Sequence, residues 1–117
     1  ITHCGVIVLA QTYNDDLAYH YGENNGDESY YLNVDGWYAP AVNMHRTAFS
    51  GRNSEYYSED PFVGGHIASL ECKGVASRGM YVFVKHFAVN DQENHRGDRD
   101  GQFSIATFLN EQAAREI

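Results

Sequence analysis

Three short apolar runs, each followed by a longer segment at helical spacing, divide the chain. Residues 5–10 form the first run, continuous and rich in Val and Ile, the pattern of a strand buried on both faces. A helix is expected next, from Asn14 to about residue 32. Asn14 is a good N-cap, Asp15 and Asp16 place negative charge at the positive end of the helix dipole, and Leu17, Ala18, Tyr21 and Leu32 fall near one face. Gly22 and Gly26, four apart, would each weaken an isolated helix by roughly 1 kcal/mol relative to Ala, so close packing on a sheet is their expected purpose.

The second apolar run, residues 36–42, contains Pro40, which cannot donate to a ladder, so this strand should be irregular near its end. A polar stretch over 43–59 leads to Asp60-Pro61, an N-cap followed by a first helical position. Val63, Ile67, Leu70 and Gly74 then keep helical spacing until Arg78-Gly79 supplies a stop. The third run, 80–87, is the clearest strand. Another polar stretch over 88–103 precedes a last helix in which Ile105, Leu109 and Ala113 recur every four residues up to Ile117. This order predicts an α/β fold of three consecutive β-α units with parallel strands and right-handed crossovers. Both long strand-to-helix loops, 43–59 and 88–103, exceed the usual loop of about 2 to 6 residues. All the elaboration therefore lies at the carboxyl edge of the sheet, where α/β folds build ligand sites.

Charge narrows the function classes. Eight Lys and Arg against sixteen Asp and Glu leave a net charge of -8 and a pI near 5.0, which is not the footprint of a nucleic-acid or anionic-membrane binder. The 43% of hydrophobic residues, with nine Tyr, is too apolar for a disordered chain, and no apolar run approaches the roughly 18 residues of a membrane span. Cys4 and Cys72 are too few for a disulfide scaffold, are expected to be buried small hydrophobes, and leave the compartment unsettled. The start, Ile1-Thr2-His3-Cys4-Gly5, carries neither a basic leader nor an initiator Met, and is expected to lie inside a longer sequence.

The two long loops and the strand ends feeding them hold the most suggestive polar residues. Arg46, Arg52, Asn53, Glu55, Glu59 and Asp60 belong to one, and Lys85, His86, Asn90, Asp91, Gln92, Glu93 and Arg96 to the other. Lys85 and His86 interrupt the run Tyr81-Val82-Phe83-Val84 at the end of a strand expected to be fully buried, and a buried Lys beside a His is costly unless something pairs with it. Two readings are open: a structural ion pair, for instance Lys85 with a loop carboxylate, or a polar ligand pocket at the carboxyl edge. The six His are scattered, with no HExxH and no CxxC, so no metal site is expected. There is no GxSxG and no Walker-type loop, and no cofactor is expected. Arg96-Gly97-Asp98 spells an adhesion tripeptide too short to carry weight. Asp98-Arg99-Asp100-Gly101 fails as a calcium loop, because Arg96 falls where the first acidic ligand must be. Tyr13, Tyr19, Tyr21, Tyr30 and Tyr31 are read as packing residues.

The stretches Ser50-Gly51-Arg52-Asn53-Ser54-Glu55-Tyr56-Tyr57-Ser58-Glu59-Asp60-Pro61 and Val84-Lys85-His86-Phe87-Ala88-Val89-Asn90-Asp91-Gln92-Glu93-Asn94-His95-Arg96 resemble signature segments of glycoside hydrolase family 3, the β-glucosidase type. Gln11-Thr12-Tyr13-Asn14-Asp15-Asp16-Leu17-Ala18, Tyr38-Ala39-Pro40-Ala41-Val42-Asn43 and Asn110-Glu111-Gln112-Ala113-Ala114-Arg115-Glu116-Ile117 are similar to further stretches of that family, in the same order. The resemblance implies that residues 1–117 are a segment of the N-terminal (β/α)8-type domain, under half of a barrel that takes roughly 250 residues. It also implies that Arg52, Lys85, His86 and Arg96 bind a terminal sugar.

The same resemblance implies a retaining mechanism whose Asp nucleophile, in an S/T-D-W motif, lies downstream, and whose acid/base carboxylate comes later still. The only Trp, Trp37, follows Gly36, so neither catalytic group is expected here, and a substrate-binding Asp is expected upstream of Ile1. Such chemistry needs two carboxyls about 5 to 5.5 Å apart. The expected partner is a β-linked oligosaccharide or glycoside, with no nucleic acid and no membrane, and with self-association through open sheet edges. The alternatives are a non-catalytic piece of a barrel, or a small carbohydrate-binding or interaction module without enzymatic activity.

Overall fold

Helix α2 (Asp15–Tyr31) begins as its sequence dictates: the Asn14 side chain accepts a hydrogen bond from the Leu17 amide at 2.9 Å, with Asp15 and Asp16 in the first turn. Helix α3 (Pro61–Ser77) starts by the same rule, with the Asp60 carboxylate accepting from the amides of Phe62 and Val63 and with Pro61 first in the helix. It stops at Gly79, whose φ of 84° is the left-handed conformation that an ordinary side chain disfavours. The computed structural model describes residues 2–94, 96–97 and 105–117.

The two long helices pack directly on each other. A methyl added at Gly22 would run into the backbone of Glu71, and one added at Gly74 into the backbone of Tyr19 and Glu23. The glycines do serve close packing, but of helix on helix rather than helix on sheet. Leu9, Ala10, Ala18, Tyr57, Ile67 and Ala68 form the core beside this crossing, with Val6, Tyr21, Val42, Val63 and Leu70 packed around them.

The first expected strand is a helix. Residues Val6–Ala10 form α1, in which the Leu9 amide reaches the Gly5 carbonyl and the Gln11 amide that of Ile7. A short apolar run is compatible with a buried strand or a buried helical turn, and here its backbone groups find partners within the run rather than on a neighbouring strand. Among the described residues there are accordingly two β-strands, not the three that three β-α units require.

Those two are parallel and joined through α3. β1 (Gly36–Trp37) pairs with β2 (Tyr81–Val82), Gly36 opposite Tyr81 and Trp37 opposite Val82. Both are far shorter than their apolar runs, yet the parallel contact continues irregularly. The Phe83 amide donates to the Trp37 carbonyl, the Lys85 amide to the Pro40 carbonyl, and the Val42 amide to the Lys85 carbonyl at 2.7 Å. Pro40 breaks the ladder by lacking an N–H but still serves it as an acceptor. The Ala39–Pro40, Lys85–His86 and Phe87–Ala88 peptide bonds are cis.

Burial departs from the expected pattern at three places. Tyr81, Phe83 and Val84 are exposed where a fully buried strand was expected, because a two-stranded sheet leaves both outer edges without a strand partner and much of its face uncovered. Cys4 is exposed and Cys72 half-buried. The last helix, α4, runs only over Glu111–Glu116. Asn110 caps it by accepting from the Ala113 amide at 2.8 Å, so Ile105 and Leu109 precede it.

Candidate functional site

The parallel contact ends by delivering Asn43, Lys85 and His86 to one edge, the carboxyl edge expected from the loop lengths. The Asn43 side-chain oxygen accepts both from the His86 amide and from His86 Nδ1, each at 3.0 Å. Because the backbone amide can only donate, that atom is the carbonyl oxygen, so the ring must also donate to it and Nδ1 carries the proton. Burial and the neighbouring Arg52 cation push the His86 imidazole below its ordinary pKa. A neutral ring protonated on Nδ1 leaves Nε2 as an acceptor. The ring is held from the side by Tyr56, fully buried and edge-on to it.

Lys85 is paired. Its ammonium lies 2.9 Å from Glu55 Oε2 and 5.2 Å from the centre of the Tyr38 ring, with 15% of the side chain exposed. The other oxygen of the same carboxylate accepts from Arg52 Nε. Glu55 sits on a short 3-10 helix, Asn53–Glu55, that follows Arg52 and brings the two side chains together. Burial pushes the Glu55 carboxyl up, but the hydrogen bonds from Arg52 and Lys85 outweigh it and hold the group below the usual range. The Arg52 guanidinium is correspondingly raised, chiefly by its hydrogen bond to Glu55.

A second carboxylate extends the chain of charges. Glu93 lies 2.7 Å from Arg96 and 3.7 Å from Arg52, which bridges the two long loops. The loops are joined again where Arg46 pairs with the buried Asp91, and where the Tyr56 hydroxyl donates to the Asn90 carbonyl. The four site residues read from the sequence, Arg52, Lys85, His86 and Arg96, are therefore neighbours: Glu55 joins the first two, Glu93 joins Arg52 to Arg96, and Asn43 seats His86 beside them. Asp98 of the adhesion tripeptide Arg96-Gly97-Asp98, and all of the stretch 98–101 weighed as a calcium loop, lie outside the described residues. Among the described residues no group of three or more His, Cys, Asp or Glu is placed to hold a metal ion.

A family model for the glycosyl hydrolase family 3 N-terminal domain matches residues 4–111. The chain belongs to glycoside hydrolase family 3. β-Glucosidase A of Butyrivibrio fibrisolvens is 42% identical over 110 residues, which is 94% of this chain and 12% of that protein. Among solved structures, a β-glucosidase from Paenibacillus barengoltzii matches with a TM-score of 0.80 and 36% identity, over 97% of this chain and 12% of that one. β-Glucosidase 3B from Thermotoga neapolitana, solved in complex with glucose, matches with a TM-score of 0.72 and 47% identity, over 74% of this chain and 12% of that one. The family 3 chain thus spans about an eighth of the length of these relatives.

Three members of the site escaped the sequence reading as partners: Glu55, Glu93 and Asn43. The first two carry a signal that was there to be read. Arg52 and Glu55 stand three apart, as do Glu93 and Arg96, the spacing at which neighbouring turns bring opposite charges together. Asn43 carried none, since its partner is 43 residues away and only the parallel contact sets that distance.

Proposed function

We propose that this chain supplies part of the sugar-binding wall of a retaining β-glycosidase of the β-glucosidase type, within a (β/α)8-type domain, acting on terminal O-glycosidic bonds. The observation that carries the reading is the convergence of Arg52, Lys85, His86 and Arg96 at the carboxyl end of the parallel contact. A pyranose presents a ring of hydroxyls that both accept and donate. The guanidinium and ammonium groups offer charge-assisted donors, roughly twice as strong as neutral ones, while His86 Nε2 accepts a hydroxyl proton. Contacts to the hydroxyl beside the anomeric carbon strengthen as an oxocarbenium-like charge develops, so these side chains would favour the transition state over the bound ground state. The nucleophile and the acid/base are assigned to other parts of a longer protein, and the chain by itself is assigned no turnover.

The test has two arms. An aryl β-glucoside incubated with the isolated 117-residue chain should release no chromophore. In the full-length glycosidase, Lys85→Ala and Arg52→Ala should each lower kcat/KM about 10- to 100-fold, the range expected for one lost charged hydrogen bond. Turnover by the isolated chain that Lys85→Ala abolishes would overturn the division of labour. Unchanged kcat/KM in both full-length variants would overturn the sugar-binding role.

A further inference from the structure

We infer that Glu55 is a positioning residue: its single carboxylate sets the spacing of two charged donors in the site, Arg52 and Lys85. The inference rests on the sugar-binding reading of these residues given above. Glu55 Oε1 accepts a hydrogen bond from Arg52 Nε, and Oε2 accepts one from the Lys85 ammonium at 2.9 Å. One rigid planar group therefore fixes a guanidinium and an ammonium that approach from different loops. Lys85 has a flexible stem and no directional preference of its own, so the carboxylate and the Tyr38 ring beneath it define where the ammonium points. The Arg52 fork is anchored through Nε, which turns its terminal nitrogens outward, one of them toward Glu93.

The charge argument is independent of the geometric one. Two half-buried cations side by side repel, and the flexible member relieves the repulsion by swinging away. A carboxylate between them offsets that repulsion and holds the Lys85 ammonium in place. Replacing Glu55 by Gln keeps the shape but withdraws the charge, so the ammonium is no longer held.

Glucose affinity of the full-length protein, measured by calorimetry at pH 7, separates the alternatives. Glu55→Gln should bind glucose about tenfold more weakly, the loss expected for a displaced charged donor. Because part of that loss acts through Lys85, combining Glu55→Gln with Lys85→Ala should weaken binding by less than the product of the two single losses, whereas a fully additive loss, as a merely structural role gives, would overturn the positioning role. Glu55→Asp keeps the charge but cannot span both cations, and should also weaken binding; it carries the test if Glu55→Gln does not fold. Wild-type affinity in the Glu55 variants, with Lys85→Ala weakened, would overturn the positioning role and leave the sugar-binding reading standing. Wild-type affinity in Lys85→Ala would overturn the reading itself.

Discussion

Glu71, on the buried face of α3, has 0% exposure and takes hydrogen bonds from the Tyr57 hydroxyl and, at 3.3 Å, from the Asn25 amide of α2. Burial raises its pKa to about 7 against the two donors, which pull the other way. The titratable groups around it are acids too: burial raises Tyr57, takes Tyr21 of α2 to about 12 and takes the Cys72 thiol to about 11, with Glu71 adding to each. The folded state therefore holds the Glu71 proton more tightly than the unfolded chain, whose carboxyl titrates near 4.5. Its contribution is fully present below that value and is lost as pH rises through about 7, a change of roughly 3 kcal/mol at most. Unfolding by urea at pH 5 and pH 8 should show the loss, and Glu71→Gln should flatten it; parallel profiles for the two proteins would remove the assignment. The sequence reading followed Ile67, Leu70 and Gly74 along this helix and passed over Glu71, because burial of a carboxyl is set by what α2 places against it. At Lys85 the reverse held: a cation ending an apolar run was visible in the sequence, and one of its two open readings, a pair with a loop carboxylate, is realised at Glu55.

At the scale of elements, the caps were legible because they are local. Asn14, Asp60 and Gly79 each act within three residues of their own position, so α2 and α3 begin and end where the sequence places them. The strand at 5–10 was misread because a six-residue apolar run has no local feature that separates strand from helix; the deciding partner is elsewhere in the chain. Helix crossings depend on space, and glycines of α2 and α3 make that testable. Gly22→Ala and Gly74→Ala each place a methyl against the backbone of the opposing helix, which should cost about 1 to 3 kcal/mol or more beyond any gain in helix propensity. Gly65, also in α3, has nothing within 4 Å of an added methyl, so Gly65→Ala should be neutral or stabilising by up to about 1 kcal/mol. Urea midpoints of the three variants check the contrast, and equal effects would mean that the crossing is not as close as described.

At the scale of the whole molecule, one of several groups of exposed apolar side chains lies on the sheet and the chain just beyond it. Tyr81, Phe83, Val84 and Phe87 are exposed, Phe87 completely, and among the described residues β1 and β2 pair only with each other. An uncovered strand edge flanked by aromatics is a template for further pairing. The isolated chain should therefore self-associate, with a sedimentation coefficient that rises with concentration and a charged substitution at Phe83 that suppresses the rise; a sharp monomer at high concentration would count against it. The sequence by itself determined what depends on neighbours a few residues away: the two capped helices, the loop asymmetry that marks one edge, and the charged pairs Arg52–Glu55 and Glu93–Arg96. Tertiary structure alone decided that residues 6–10 form a helix, that Gly22 and Gly74 let α2 and α3 touch, that Asn43 seats His86, and that one carboxylate joins Arg52 to Lys85. The physical reason is range: caps and turns are satisfied within the local backbone, whereas a parallel contact, a buried proton and a shared carboxylate each need a partner that only the folded chain brings near.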